Sequence, residues 1–296
     1  MTDNKRLLLI INPHAGKMRA NSSLFAILSE LCAAGYEPTV YLTKCQGDAT
    51  EKVKADGDQY GTIVCCGGDG TLNETINGLM ALQTKPTVGY IPCGTTNDFA
   101  STLGLPTNIR KAAKVIAAGN EKTLDLGSFG GRYFSYVASF GMFTQASYDT
   151  PQQVKNTLGH FAYILDAASL LSKIKPYKIR CICDDYIDEG EFIFGGITNS
   201  TSLAGVIKLP SEMVDLSDGM LEVFLLRQPK NPTELNDLLW AVSAKDYENE
   251  NIVMHHGRHI EIICDEPLAF TLDGEFGGEI TDVRIDCEKQ ALKILL

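Results

Sequence analysis

The sequence predicts an α/β domain built on a parallel sheet, followed by a strand-rich domain. Three observations carry the prediction. Short apolar, β-branched runs alternate with helix-period segments as far as Lys122. Beyond Lys122 strands dominate and helical stretches become rare. Between the third strand and the third helix lies a glycine-rich turn, Gly67-Gly68-Asp69-Gly70-Thr71.

The elements follow in order. Leu7–Ile11 reads as a buried first strand. Ser22–Leu31 carries Leu24, Ile27, Leu28 and Leu31 at helical spacing, and Gly35 marks its C-terminal end. Pro38–Thr43 is a second strand, Asp48–Tyr60 a polar helix, Thr62–Cys66 a third strand and Leu72–Leu82 a third helix. Thr87–Ile91 is a fourth strand, and the helix Ile109–Ala118 follows a loop. Such alternation implies a parallel sheet with helices on its faces, and ligands bind such sheets at the carboxyl ends of strands.

In the second half, strands are predicted at Thr123–Phe129, Tyr133–Ser139, Lys178–Asp184, Glu191–Asn199, Leu221–Leu226, His259–Cys264, Leu268–Leu272, Val283–Cys287 and Ala291–Leu295. Helices interrupt at Gln153–Ser172 and Pro232–Ala244, and Asp184–Gly190 and Cys287–Gln290 read as hairpin turns. The pattern fits an antiparallel sandwich or meander. The domain boundary falls in Gly119–Gly131, which divides the chain into residues 1–125 and 126–296.

Composition narrows the function. The 296 residues, 44% hydrophobic and 21% charged, describe a globular chain with room for two domains. No apolar run reaches membrane-spanning length, and Leu7–Ile11 is too short for a signal-peptide core, so a cytoplasmic protein is expected. A net charge of −11 argues against nonspecific nucleic-acid binding. The basic stretch with Lys173, Lys175, Lys178 and Arg180 reads as a solvated surface in preference to a membrane-facing one. The nine cysteines are odd in number and contain no CxxC pair, and they read as buried, reduced thiols.

Three loops at strand ends carry the chemistry. Glycines in Gly67–Gly70 let backbone N–H groups approach a ligand, and the following helix start adds unpaired donors and a positive dipole end. Phosphate is the usual anion for such a site. Asp69 within it suits a metal or a reacting hydroxyl. The run is not a dinucleotide fingerprint, because Asn73 stands at the third glycine position. Asn12-Pro13-His14-Ala15-Gly16-Lys17 offers backbone donors and a cation, but it is not a Walker A loop. In Pro92–Ala100, Thr95 and Asn97 can donate to phosphate, and Asp98 can hold a metal or orient a hydroxyl. Two acidic turns in the second half, Asp215–Met220 and Leu272-Asp273-Gly274-Glu275, could be mere Asp-Gly turns, yet they also supply a carboxylate from a second domain. His255 and His259 have metal-helix spacing, but His256 stands where a zinc helix needs Glu and a strand follows, so a zinc site is not expected. The absence of a G-x-S-x-G elbow leaves a hydrolase triad unsupported.

NPHAGK, GGDGTLNE, PCGTTNDFA, LSDG and LDGE, in that order, resemble the diacylglycerol kinase catalytic family, most of all its soluble bacterial members. The likeness extends to ASFGMFTQASYDTP, LGHFAYILDA and GGITNSTSLAG. GGDGT alone is shared with NAD kinases and phosphofructokinases. The resemblance implies a Rossmann-like nucleotide-binding α/β domain joined to an antiparallel β-sandwich. It implies transfer of the ATP γ-phosphoryl group to diacylglycerol with Mg²⁺, giving phosphatidic acid at the inner face of the membrane, by a peripheral enzyme that could form a homodimer. Asn12, Pro13, His14, Ala15, Gly16, Thr43, Gly67, Gly68, Asp69, Gly70, Thr71, Leu72, Asn73, Thr95, Asn97 and Asp98 match the nucleotide site. Asp69 matches the acid near metal and phosphate, and Glu275 the general base. Asp218, with Asp215 and Met220, matches a structural Mg²⁺ site. Other acceptors (a sphingoid base, phosphatidylglycerol or NAD) and a non-catalytic nucleotide-binding regulator stand as alternatives. The chain stops at Leu296, where some relatives continue with a segment that packs on the first domain.

Overall fold

The computed structural model describes residues 5–142, 144, 171–172, 174–203 and 207–296, and of residues 17–22 the backbone alone. Contacts gather the chain into two units. One comprises Met1–Leu126, Arg132–Ser135 and Lys289–Leu296; the other comprises Gly127–Gly131 and Tyr136–Glu288.

The first unit alternates as its sequence dictates: β1 (Arg6–Ile11), α1 (Arg19–Ala33), β2 (Glu37–Leu42), α2 (Asp48–Asp56), β3 (Thr62–Gly67), α3 (Asp69–Met80), β4 (Thr87–Pro92), α4 (Asp98–Thr102) and α5 (Ile109–Ala118). The strands are parallel in the order β2-β1-β3-β4. β3 is buried at every position because it has a strand on each side and helices over both faces, whereas the edge strand β2 is mostly exposed. Leu7, Leu9, Ile11 and Val64 pack with α1 and α5. On the other face a Cβ at Gly57 would meet Val53 and Ile63, and one at Gly78 would lie 2.7 Å from Val53, so α2 and α3 touch closely there.

The helix ends follow local chemistry. α1 stops at Gly35, whose φ of +85° suits glycine, and Tyr36 N–H donates to the Leu31 carbonyl at 3.1 Å. Asn108 caps α5 by accepting Lys111 N–H at 3.0 Å.

β5 (Glu121–Phe129) and β6 (Arg132–Phe134) follow. The predicted last strand, Ala291–Leu295, is the tail of a longer one, β15 (Glu275–Leu295), and its Ile294 pairs in parallel with Val88 of β4. The expected turn at Cys287–Gln290 is therefore only a local twist in β15. Gln290 has φ of +52° and donates its N–H to Asp125 Oδ1 at 2.6 Å.

The second unit contains β7 (Val137–Gly141), β8 (Tyr177–Cys183), β9 (Tyr186–Thr198), β10 (Ser202–Leu203), β11 (Ile207–Lys208), β12 (Leu221–Arg227), α6 (Pro232–Ala244), β13 (Ile252–Gly257) and β14 (His259–Leu272). Its sheet runs β13-β12-β9-β7-β14-β15, and every described pairing is antiparallel. β8 also bridges β9 and β14, along their other stretches. Phe194 and Phe224 pack with Leu238 and Val242 of α6, and Phe270 stacks tilted against Phe129 and Phe140 at 5.0 and 5.3 Å. Asn231 caps α6 by accepting Glu234 N–H at 2.9 Å, and Glu234 accepts the Asn231 side-chain amide and Lys230 N–H, each at 2.7 Å, with Pro232 at the first turn.

Several expectations change. Tyr133–Ser139 is two strands, β6 and β7, divided at Ser135-Tyr136. The two runs at His259–Cys264 and Leu268–Leu272 form one strand with a register shift between them, where Pro267 interrupts the ladder. β13 was not predicted. The β8–β9 hairpin is tighter than expected, turning at Asp184-Asp185 with Cys183 opposite Tyr186. The helix expected at Gln153–Ser172, except its last two residues, lies outside the described residues, as does Lys173 of the basic stretch. Cys181 and Cys183 share a buried face as their alternation predicts, but Cys32 and Cys45 are exposed thiols.

Candidate active site

Strand order reverses at β1. From β1 the chain goes first to β2 on one side, then to β3 and β4 on the other. The carboxyl ends of β1 and β3 therefore flank a topological switch point, the place where a parallel sheet opens a crevice for ligand. The loops after β1, β3 and β4 all leave this edge, and they are joined to one another.

The first loop is stitched to the second. Asn12 N–H donates to the Cys66 carbonyl at 3.0 Å, and its side-chain amide donates to Thr71 Oγ1 at 3.1 Å. Asn12 Oδ1 accepts His14 N–H at 2.9 Å, which turns the chain over Pro13. Ala15 leans on the core below, and His14 is exposed. Gly16 has φ of +53°, and a Cβ there would lie 1.7 Å from the Cys93 carbonyl oxygen, so the first loop also seats directly on the third. The side chain of Lys17 lies outside the described residues.

The second and third loops meet backbone to backbone. A Cβ on Gly68 would approach Gly94 Cα to 3.3 Å, and one on Gly94 would come within 2.7 Å of Gly68 Cα. Gly67 is needed because Thr71 folds back over it, 2.6 Å from where its Cβ would be. Asp69 opens α3, and its Oδ2 accepts Asp98 N–H at 3.1 Å, while the Tyr90 hydroxyl lies 3.5 Å from its Oδ1. The carboxylate stands at the positive end of a helix, in the rim itself. Asn97 adopts the left-handed region at φ of +53° and closes its own loop, accepting Gly94 N–H at 2.8 Å and donating to the Gly94 carbonyl at 2.9 Å. Its amide thus shapes the loop, and Thr95 and Thr96 expose their hydroxyls there.

Other site candidates sit at the edges of this rim. Thr43, at the end of β2, is nearly buried and donates its N–H to the Ile11 carbonyl at 2.9 Å. Leu72 turns its side chain into the core. Asn73 bonds the Tyr133 carbonyl at 3.0 Å, helped by Asn77 at 2.9 Å, so it anchors a neighbouring turn. Below the rim the Cys66 and Cys93 sulfurs touch at 3.3 Å. That contact, followed by burial, holds the Cys66 thiol protonated. Sequence reasoning missed Tyr90 and Asn77, whose roles come from the distant partners Asp69 and Tyr133 and not from a local pattern.

In the second unit, Leu272 pairs with Glu275 across a two-residue turn in which Asp273 and Gly274 both have positive φ, +50° and +85°. Asp-Gly is the sequence such a hairpin demands. Buried Asp273 fixes the turn: its Oδ1 accepts the N–H groups of Tyr136 and Val137 at 3.0 and 3.1 Å. Glu275 follows at an exposed position on this rigid support. The other acidic turn is built similarly. Asp215 Oδ1 accepts the N–H and hydroxyl of Ser217, both at 3.0 Å, and Asp218 Oδ1 accepts Met220 N–H at 2.8 Å. Both aspartates and Met220 are exposed.

No cluster of three His, Cys, Asp or Glu side chains suited to a metal occurs among the described residues. The histidines considered for zinc serve other contacts: His255 bonds Asp188 and stacks on Tyr186, and His259 bonds Asp286, each bond at 2.6 Å. No helix among the described residues is long and apolar enough to cross a membrane.

A glycine-lined rim at a sheet's switch point, with a carboxylate at its centre, is the form a phosphate-binding site takes in the nucleotide-binding α/β class. The comparisons give the family. Residues 6–129 match the diacylglycerol kinase catalytic domain, and residues 137–296 match the YegS C-terminal NAD kinase beta sandwich-like domain. A diacylglycerol kinase of Bacillus subtilis strain 168 is 34% identical over 93% of this chain and 91% of its own length. One of Staphylococcus aureus strain MRSA252 is 35% identical over 93% and 88%. The crystal structure of a diacylglycerol kinase from Bacillus anthracis strain Sterne superposes with a TM-score of 0.77 at 27% identity, covering 100% of this chain and 98% of that one. The chain belongs to the diacylglycerol kinase family and is a lipid kinase with an α/β domain followed by a sandwich-like antiparallel domain.

Proposed function

We propose that this enzyme transfers the γ-phosphoryl group of ATP to the free hydroxyl of diacylglycerol, giving phosphatidic acid and ADP, while bound peripherally to a membrane. The joined rim of Asn12–Gly16, Gly67–Asn73 and Gly94–Asp98 is the observation that carries this reading. Phosphoryl transfer depends mainly on alignment and charge neutralisation, and backbone N–H groups of pre-formed loops supply both to the triphosphate. In this scheme Pro13, His14, Ala15, Gly70, Thr71, Leu72 and Thr95 lie along the phosphates, and Thr43 contacts the nucleotide from the end of β2. Asn97 holds the third loop in shape, and Asp98 N–H orients Asp69. Glu275 accepts the proton of the lipid hydroxyl as its oxygen attacks the γ-phosphorus and the bond to the β–γ bridging oxygen breaks, with ADP leaving.

The residues present fit Mg²⁺ in their donor chemistry. Asp69 offers a carboxylate beside the phosphate rim, and Asp218, with the backbone carbonyls of Asp215 and Met220, would offer the oxygen donors a hard cation takes. An ion held there would supply neutralisation of phosphate charge at the first place and a brace for an exposed turn at the second.

Labelled ATP offered with diacylglycerol, a sphingoid base, phosphatidylglycerol and NAD tests the assignment. Label should enter diacylglycerol, and both Asp69→Ala and Glu275→Ala should reduce it at least a hundredfold. Label in NAD and in no lipid would overturn the acceptor, and equal background in all three proteins would favour a regulator.

A further inference from the structure

Glu74 lies in the same run as the phosphate turn, five residues beyond Asp69, and its carboxylate is turned to the start of α2. The connection between β2 and α2, Thr43–Gly47, ends at Gly47, which occupies the N-cap position at φ of +84° and has no side chain to cap the helix. The first turn of α2 therefore lacks the usual partner for its N–H groups. Glu74 supplies one from α3. Its Oε1 accepts Gly47 N–H at 2.7 Å and its Oε2 accepts Ala49 N–H at 3.3 Å, while its carbonyl accepts the Thr50 hydroxyl at 2.8 Å. The carboxylate also lies at the positive end of α2. One turn further along α3, Gly78 lets the two helices close, since a Cβ there would stand 2.8 Å from the Thr50 carbonyl oxygen. The start of the same connection is tied by Asp48, which accepts Lys44 N–H at 2.7 Å and the Tyr41 hydroxyl at 2.9 Å.

We propose that Glu74 is a positioning residue for nucleotide: by fixing the Gly47 end of the Thr43–Gly47 connection, it links the helix that begins with Asp69 to the segment that presents Thr43. The proposal rests on the nucleotide reading given above and deepens it. The Glu74 carboxylate is engaged by the Gly47 and Ala49 N–H groups. It acts through the backbone of a five-residue turn whose two ends are held by two carboxylates.

The test compares Glu74→Ala, Glu74→Gln and Thr50→Val by ATP and lipid kinetics, thermal melting, and hydrogen exchange of the ligand-free protein. Glu74→Ala should speed exchange at Gly47 and Ala49 and raise the KM for ATP at least fivefold. Its kcat should stay within twofold and its lipid KM should not change. Glu74→Gln keeps one acceptor oxygen for Gly47 and should recover most of the ATP KM, which also provides a reading if Glu74→Ala folds poorly. Thr50→Val removes the other α2–α3 bond without touching the turn, so it should lower the melting temperature and leave the ATP KM alone. An ATP KM within twofold of wild type in Glu74→Ala, or an equal rise in Thr50→Val, would overturn the proposal. A wild-type enzyme that shows no saturable dependence on ATP would sink the nucleotide reading itself, and the proposal with it.

Discussion

Gly16 shows how strictly single residues are chosen in the rim. Its backbone is left-handed, and the space beyond its Cα is filled by the Cys93 carbonyl. Gly16→Ala should cost about 1–2 kcal/mol for the backbone alone, before any relief of the clash, and should weaken ATP binding because the first loop must lift off the third. Denaturant unfolding and ATP titration of the same variant check both effects. Asp273 does comparable work in the second unit. Asp273→Ala removes an acceptor shared by the buried Tyr136 and Val137 N–H groups, and each buried N–H left unmet costs about 1–3 kcal/mol. Asp273→Asn keeps Oδ1 and tolerates positive φ, so chemical denaturation should find it much closer to wild type.

At the scale of elements, β8 carries a pH dependence. Burial pushes the Cys181 thiol up to about 12 and the Cys183 thiol up to about 11, with neighbouring carboxylates acting in the same direction. A thiol whose folded pKa lies above its unfolded value of about 8.5 contributes stability that is complete below that pH and is lost as pH rises toward the folded value. Unfolding free energy should therefore fall between about pH 8.5 and pH 11, and Cys183→Val should fall less steeply over that window. In the native protein at pH 8, a thiol reagent should label Cys32 and Cys45, with Cys181 and Cys183 reacting only after unfolding. The elements legible in the sequence were those with local causes. The strand–helix alternation of β1 through α5 is set by period, and the glycine turn by what only glycine permits. The continuity of β14 past Pro267 and of β15 past Gln290 was not legible, since each depends on a distant pairing partner. Likewise GGDGTLNE marked a phosphate turn, but neither the Asn97 loop closure nor the reach of Glu74 to Gly47 has a sequence signal.

At the scale of the whole molecule, the chain crosses between its units more than once: Arg132–Ser135 and Lys289–Leu296 belong with the first unit, although the second intervenes. The Asp215–Met220 turn offers a test of the metal reading. If it holds a structural ion, Mg²⁺ should raise the melting temperature of the wild type, by mass action on the folded state. Asp218→Ala should then melt lower and lose most of that response, while Glu275→Ala should melt like wild type. A Mg²⁺ response unchanged in Asp218→Ala would place the ion elsewhere. In the proposed scheme the three joined loops at the β1–β3 switch point grip the triphosphate. Hydrogen exchange with and without a non-hydrolysable ATP analogue at saturating Mg²⁺ tests it most directly. Protection should concentrate in Asn12–Gly16, Gly67–Asn73 and Gly94–Asp98. Tight analogue binding that left those amides exchanging as in the free protein would contradict a grip by these loops.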